Sequence, residues 1–584
     1  MRHLPRMVRL LGCISLLLCK HTVVAQEVNA TFANPVHFYE KCAPYQGDVK
    51  TSVRLSAWRG ERISQALILW SGGPGIHDIT IRVPPIISGG DTISPEAILL
   101  RSVGYVRADL ESRPCGGYEH RDPAHFIRLG DILIDQTVST LGPDCPEVYW
   151  LTIDVPGTCM PGLYEGKVEV WHADRIARQL SLTVDVSELR LPPVSEWKFH
   201  LDFWQYPTAV VDRYNETHPG DEIAYWDADH FALLQKMYRP LAGMGQKVIT
   251  AHIKEGALGS PSMIEWMLQP DGNWKFDFSV FDAYVQAMTR LGIFRQINCH
   301  SPIGWNSDQI TYLDMEHGGI QTMEAPIGSG AYKRIWKGFL DSFRMHLIEQ
   351  GWFHKTVLFL DEVEPGLLDW TIGFIHAHDP DWNIGLAAFR FPPDSVRIHL
   401  QDLSLMIGVD GGSGMHDRPE VLTFYTSCNP QHPNHFVAGD ADPYENLRVG
   451  WYAASNGYNG FLRWAFDNWS VTDPADQQVG AFTSGDFSFL YRSSNNLDMT
   501  FYPSVRMELI REGIEDHEKI LILKERLNSS GSATHMRLSA LLTEKLAAVS
   551  GKAGKPHESG EPHESGKLMK DARRLLDEIT TSLK

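Results

Sequence analysis

Between Gln26 and Pro193, apolar and polar residues alternate in short runs cut by Gly and Pro: 52–58, 79–83, 149–154, 166–171 and 180–186. A period of two bounded by turn residues predicts strands with one buried face. Several such strands in close succession predict a β-sandwich over residues 26–190. The following Leu189-Arg-Leu-Pro-Pro193 reads as a stiff connector, because two prolines remove backbone donors and favour extended geometry.

Beyond the connector the period changes. Residues 199–204 form a strand, and Phe231, Leu234, Met237, Tyr238 and Leu241 then share one helical face that closes at Gly243 and Gly245. Strand 248–253, a helix through Phe278, Phe281, Val285, Met288 and Leu291, strand 294–300, a helix through Ile335, Phe339, Phe343 and Leu347, and strand 356–362 follow in turn. Further strands are expected at 421–425 and 460–466. Helix and apolar strand alternating over about 300 residues predict an α/β fold with a parallel sheet, a (β/α)8 TIM-like barrel over 196–503. A doubly wound open sheet is the alternative, but no Gly-x-Gly-x-x-Gly turn follows the first strand. Ser504 can cap a helix that opens a C-terminal helical extension, 504–584. Within it Pro-His-Glu-Ser-Gly occurs twice, so a flexible polar loop is expected at 553–567.

The first residues alter the cellular picture. Arg2, Arg6 and Arg9, then the apolar run Leu10 to Leu18, then Val23-Val24-Ala25 have the order of a secretory signal peptide, residues 1–25. A secreted or periplasmic protein is expected. Lipoprotein anchoring at Cys19 is disfavoured by the bulky Leu18 before it. No later run is long and apolar enough to span a bilayer. Cys42, Cys115, Cys145 and Cys159 fall in the N-terminal third and could form disulfides after export, with a connectivity the sequence does not reveal. No Cys-x-x-Cys or His-Glu-x-x-His spacing occurs, so neither metal nor cofactor is expected.

Charge excludes one class of partner. The net charge of -19 is dispersed, whereas a nucleic-acid surface needs clustered Lys and Arg. The 17 Trp and 19 Tyr suit stacking on sugar rings, although core packing accounts for most of them.

In a parallel barrel, functional groups gather where strands end. Val357-Leu-Phe-Leu-Asp-Glu-Val-Glu364 is the clearest case, four apolar residues followed by three carboxylates in four positions. Adjacent strand residues point to opposite faces, so Asp361 and Glu362 converge on one ligand only if the strand breaks there. Glu364 shares a face with Glu362 by period and competes with it.

This pair resembles that of glycoside hydrolase family 123, the β-N-acetylgalactosaminidases. The resemblance extends to Tyr425-Thr-Ser-Cys428-Asn-Pro430, to Gly460-Phe-Leu-Arg-Trp-Ala-Phe-Asp-Asn-Trp469 and to the run from Ser504 to Asp516. It implies a β-sandwich followed by a (β/α)8 barrel. It also implies exo-acting removal of terminal β-linked N-acetylgalactosamine from a glycan or glycolipid, in which the substrate's 2-acetamido oxygen is the nucleophile. On this resemblance Glu362 matches the general acid/base and Asp361 the residue that orients the acetamido N–H. Tyr425 matches a donor to the acetamido oxygen, or else a core tyrosine. Trp464 and Trp469 are candidate walls of the sugar pocket, and Asp467 and Asn468 candidate hydroxyl binders; Arg463 and Trp464 alternate, so at most one lines the interior. Asn298, His300 and His200 also sit on strands and are further candidates. A conventional retaining glycosidase with a carboxylate nucleophile, or a non-catalytic carbohydrate-binding barrel, remain the alternatives.

Overall fold

The structure is a computed structural model that describes residues 27–116, 125–137, 139–303, 308–409, 418–469, 482–493, 499–529, 531–551 and 563–583. The predicted leader and most of the 553–567 loop lie outside these residues; His563 already opens the terminal helix His563–Ser582.

The N-terminal alternation folds as two sheets. One runs in the order Val28–Ala33, Arg62–Ser71, Glu147–Asp154, Ile98–Asp109, Phe126–Ile134. The other runs Ser52–Arg59, Arg175–Arg190, Gly162–His172, Ile86–Ser88, Asp91–Ile93. Their inward residues, Leu67, Leu69, Leu151 and Ile153 from the first and Val168, Val170, Leu182 and Val184 from the second, share one core. Burying one face of each sheet against the other is what the period of two demands.

Eight parallel strands follow: β1 His200–Phe203, β2 Val248–His252, β3 Gln296–His300, β4 Thr356–Asp361, β5 Asn383–Ala388, β6 Leu400–Met406, β7 Val421–Thr426 and β8 Gly460–Arg463. They pair in the order β1-β8-β7-β6-β5-β4-β3-β2. The barrel closes at the β1/β2 seam through a side chain. Leu201 and Gln246 form a single parallel bridge, and the Gln246 amide accepts from Phe203 N–H at 2.9 Å and donates to Phe203 O at 3.1 Å. One glutamine thus supplies the donor and acceptor that a ladder would have provided.

Strands β5 and β6 were not expected from the apolar pattern, because small and polar residues interrupt them. Gly385 in β5 lies where a Cβ would meet Phe359 and Val357 at 2.5 and 2.8 Å, and Asp402 in β6 is buried. Conversely, the strand expected to reach 466 ends at Arg463. An outlying sheet of Glu265–Leu268, Trp274–Asp277, Gln309–Asp314 and Ile320–Glu324 is built from the connections after β2 and β3.

Helix Val505–Ser529, assigned from sequence to an extension, belongs to both halves of the molecule. Met507, Ile510 and Ile514 enter the barrel core, while Leu509, Ile520 and Leu523 share a core with Trp58, Val103 and Leu133 of the sandwich. It crosses helix Tyr444–Asn456 so closely that a Cβ on Gly450 would lie 1.8 Å from Gly513 O. The first turn of this helix carries Arg506, whose Nε meets Asp131 of the sandwich at 2.8 Å with both side chains at 0% exposure. Its other N–H groups donate to the carbonyls of His435, Gly485 and Ser488 at 2.9, 2.8 and 2.9 Å.

Removing one partner of a buried ion pair leaves an uncompensated charge. Arg506→Met is therefore expected to lower stability by about 3–5 kcal/mol. Denaturant titration is the check, and adding Asp131→Asn should recover part of the loss; a midpoint unchanged by Arg506→Met would contradict this account.

Candidate active site

Strand β4 directs Phe359 into the barrel, where its ring lies 5.2 Å from His300 and 5.9 Å from Trp204, centroid to centroid. Two residues on, Asp361 has the same parity and closes the strand, half-buried and paired with Ala387 of β5. Glu362 leaves the strand with φ 47° while its N–H still donates to Ala387 O at 2.9 Å. A side chain in this left-handed region is held there at a cost of roughly 1–3 kcal/mol. The departure supplies the break that two adjacent carboxylates need. In a regular strand Glu362 would point away from Asp361; here its Oε1 accepts from Tyr425 Oη at 2.6 Å. Tyr425 stands on β7, with β5 and β6 between it and β4, so this hydrogen bond spans the barrel mouth. The competing carboxylate, Glu364, begins helix Pro365–His378 instead, its carbonyl accepting from Leu368 N–H at 2.9 Å.

Two tyrosines face the pair. Burial first, then the charges of Glu362 and Asp361, push the Tyr425 phenol far above its usual range, so it remains a proton donor in hydrogen bonds at any working pH. Tyr206, just beyond β1, is raised by burial and then by Asp361, Asp467 and Asp486. Neither Tyr206 nor Asp486 was singled out from sequence. For Tyr206 the parity of Asp202 and Trp204 was the available signal. Asp486 lies on an irregular segment without periodicity.

Arg463 and Trp464 divide as their alternation requires. Arg463 is fully buried and donates to Thr426 O at 2.6 Å, Ser427 O at 3.0 Å and Asp486 Oδ1 at 2.5 Å. Trp464 is half-buried, donates from Nε1 to the same Asp486 oxygen at 3.1 Å, and lies 6.5 Å from the Tyr206 ring at 90°. Trp464 is thus brought to the mouth with Asp361, Glu362 and Tyr425.

Other sequence candidates are placed elsewhere. Asp467 is fully buried, accepting from Tyr206 N–H and Tyr238 Oη, each at 2.9 Å, and burial pushes its carboxyl up to about 7. It therefore positions Tyr206 and has no oxygen turned to the mouth that is free of these bonds. Trp469 is fully buried, its indole N–H on Leu490 O at 3.1 Å and its ring stacked on Phe501 at 5.7 Å; it is a core residue. Asn468 is buried, with its N–H on Phe487 O at 3.0 Å. His200 opens β1 opposite Gly460, the first residue of β8, and so lies at the end of the barrel remote from Asp361. Burial, Arg295 and Lys247 hold its ring down at about 3. His300 lies buried under Trp204 at 4.7 Å, and burial, then His252, keeps it neutral.

Asn298 belongs to a polar layer inside the barrel. It donates to Asp202 at 3.0 Å, and Gln296 Nε2 bridges Asn298 Oδ1 at 2.8 Å and Asp402 Oδ2 at 2.6 Å. Burial lifts Asp402 to about 7, and burial with the Asp402 charge lifts Asp202 well above the ordinary range. Among the described residues, no group of three His, Cys, Asp or Glu side chains is arranged to hold a metal ion.

A barrel with paired carboxylates, a tyrosine and a tryptophan at its strand ends has the features of a glycosidase. The model for the glycoside hydrolase 123 catalytic domain matches residues 204–523, and that for the family's N-terminal domain matches residues 33–172. The chain belongs to glycoside hydrolase family 123 and is a glycoside hydrolase. Among solved structures it is similar to a family 123 glycoside hydrolase from Clostridium perfringens described for glycolipid glycan hydrolysis. The TM-score is 0.80 at 23% identity, over 95% of this chain and 98% of that one. A family 39 glycoside hydrolase from Bacteroides cellulosilyticus WH2 gives a TM-score of 0.32 at 11% identity, over 75% and 80% of the two chains. Comparison with curated proteins returned no match.

Tyr425→Phe removes a hydrogen bond to a carboxylate, worth about 1.5–3 kcal/mol. A roughly 10- to 100-fold fall in kcat is expected on any aryl glycoside the enzyme hydrolyses; unchanged kcat would detach Tyr425 from the site.

Asp402 gives a pH-dependent outcome. Its folded value near 7 exceeds the ordinary 3.8, so the folded state binds the extra proton between these values and stability falls as pH rises through the window. Asp402→Asn, which can still accept from Gln296, should therefore stabilise by about 1–4 kcal/mol at pH 8 and by almost nothing near pH 4. Calorimetry across that range tests the sign: an equal shift at both pH values would contradict it.

Proposed function

We propose that the enzyme is an exo-acting β-N-acetylgalactosaminidase that removes terminal β-linked N-acetylgalactosamine by a retaining, substrate-assisted mechanism. The observation carrying this reading is the left-handed Glu362 immediately after Asp361. Two neighbours on one strand end serve a leaving group and an acetamido group from one side more readily than they flank a sugar. A retaining enzyme with its own nucleophile instead holds its carboxylates about 5 Å apart across the anomeric carbon.

In this reading the acetamido carbonyl oxygen attacks C1 while Glu362 gives its proton to the glycosidic oxygen, and the C1–O bond breaks. Asp361 accepts from the acetamido N–H, and its charge stabilises the oxazolinium ion that forms. Water, deprotonated by Glu362, then adds to C1 from the vacated face, so two inversions leave the β configuration. Trp464 supplies an apolar wall to the sugar ring. Tyr425 holds Glu362 through Oε1 and leaves Oε2 to carry the proton to the leaving group, a hydrogen bond that strengthens as Glu362 becomes a carboxylate. The similar structure concerned with glycolipid glycan hydrolysis supports a glycolipid or related glycan as substrate.

Export through the predicted leader is part of the proposal. Two disulfides, Cys42–Cys145 and Cys115–Cys428, support an oxidising compartment. Cys159, grouped from sequence with the candidate disulfide formers, is a buried free thiol.

Hydrolysis of 4-nitrophenyl β-N-acetylgalactosaminide, its N-acetylglucosaminide and the plain galactoside tests the reading. Turnover of the first with retention, inhibition by a thiazoline mimic of the cyclised intermediate, and negligible plain galactosidase activity are expected together. Glu362→Gln should abolish turnover of glycans and spare more activity on aryl glycosides, whose leaving groups need no proton. Inverted product, or a trapped glycosyl ester on a carboxylate of this chain, would overturn the mechanism.

A further inference from the structure

Past strand Ile98–Asp109 of the sandwich, residues 110–116 form a finger that reaches the barrel mouth and carries Cys115. The finger is held along its length. The buried Asp109 carboxylate accepts from the N–H and hydroxyl of Ser484 at 2.8 and 2.9 Å, and its carbonyl accepts from Gly439 N–H at 2.9 Å. Ser112 donates from its N–H and hydroxyl to Asp440 at 2.8 and 2.7 Å. Further along, Cys115 is bonded to Cys428, 313 residues away in sequence.

Cys428 is three residues past Tyr425 and two past Thr426, where β7 ends. Beyond that point no ladder positions the chain. Arg463 grips the carbonyls of Thr426 and Ser427 from β8, and the disulfide fixes the next residue from the opposite domain. We propose that Cys428 is a positioning residue: its bond to Cys115 lets the sandwich hold the end of β7 where the Tyr425 hydroxyl meets Glu362, so turnover depends on the oxidation state of a bond outside the barrel. A contact of 2.6 Å has little tolerance, and a misplacement of about 1 Å can cost on the order of 100-fold in rate.

The inference rests on the reading of Glu362 as acid/base, and the test separates the two. The second disulfide, Cys42–Cys145, lies within the sandwich and serves as the control. On 4-nitrophenyl β-N-acetylgalactosaminide, Cys115→Ser/Cys428→Ser is expected to lose about 10- to 100-fold in kcat, with KM little changed. Cys42→Ser/Cys145→Ser should keep the wild-type kcat. Dithiothreitol, which cleaves the bond to two thiols as it closes to its own cyclic disulfide, should reproduce the loss in the Cys42→Ser/Cys145→Ser background and leave Cys115→Ser/Cys428→Ser unaffected. Should the latter fail to fold, the reduction experiment decides. Wild-type kcat after loss of the Cys115–Cys428 bond, whatever happens to Tm, would overturn the proposal. If the wild type proves inactive on this substrate, the proposed specificity fails, and the same comparison on the aryl glycoside it does cleave decides the role of Cys428.

Discussion

The geometry of the barrel mouth depends on the buried ion pair between Asp131 and Arg506. Desolvating a guanidinium and a carboxylate is expensive unless every donor is used. Arg506 uses all of its own: Asp131 takes Nε–H, three loop carbonyls take three more N–H groups, and Tyr491 Oη takes the last at 3.3 Å. Those carbonyls belong to the segments after β7 and β8 that also carry Asp486 and lead from Tyr425. One side chain therefore sets the height of these loops relative to the sandwich. The Phe489 ring, 4.4 Å from the guanidinium, covers one of its faces.

The sandwich consequently cannot be regarded as a module tethered to a self-sufficient barrel. Its core continues into helix Val505–Ser529, and further buried charge pairs, Arg101 with Glu508 at 2.8 Å and Lys519 with Glu61, cross the same boundary. Apolar burial provides the gross stability of this junction, while the ion pairs, which would be costly if shifted by one residue, fix its registration.

Local periodicity made much of this architecture legible. Strands with strong alternation, such as Gly162–His172, and helices with a single apolar face, such as Ala228–Gly243, were readable because the burial pattern of each is written within ten to twenty residues. β5 and β6 were not, since their interior positions carry Gly385, Asp402 and Ser404, whose place depends on neighbouring strands. The acidic pair was visible as carboxylates ending an apolar run. Its convergence was not, because a positive φ at a glutamate has no local signature. The misplaced candidates share one cause: Asn298, His200 and Asp467 are polar residues on or next to barrel strands, and parity alone does not distinguish a side chain at the mouth from one in the interior layer beneath it or at the far end. Cys115 likewise appeared to belong with its neighbours in sequence, when its partner is in the other domain.

The backbone at Glu362 also bears on how this protein can be altered. A left-handed residue is most comfortable as glycine or asparagine, and Glu362 is exposed, with no apolar packing to lose. Substitution there by glycine would relieve the backbone strain, and against that gain stand the lost hydrogen bond to Tyr425 and the greater freedom glycine gives the unfolded chain. The two sides are of similar size, so fold energetics exert little hold on this position, and a redesign that weighed backbone strain alone would strip the mouth of a carboxylate at almost no cost to durability.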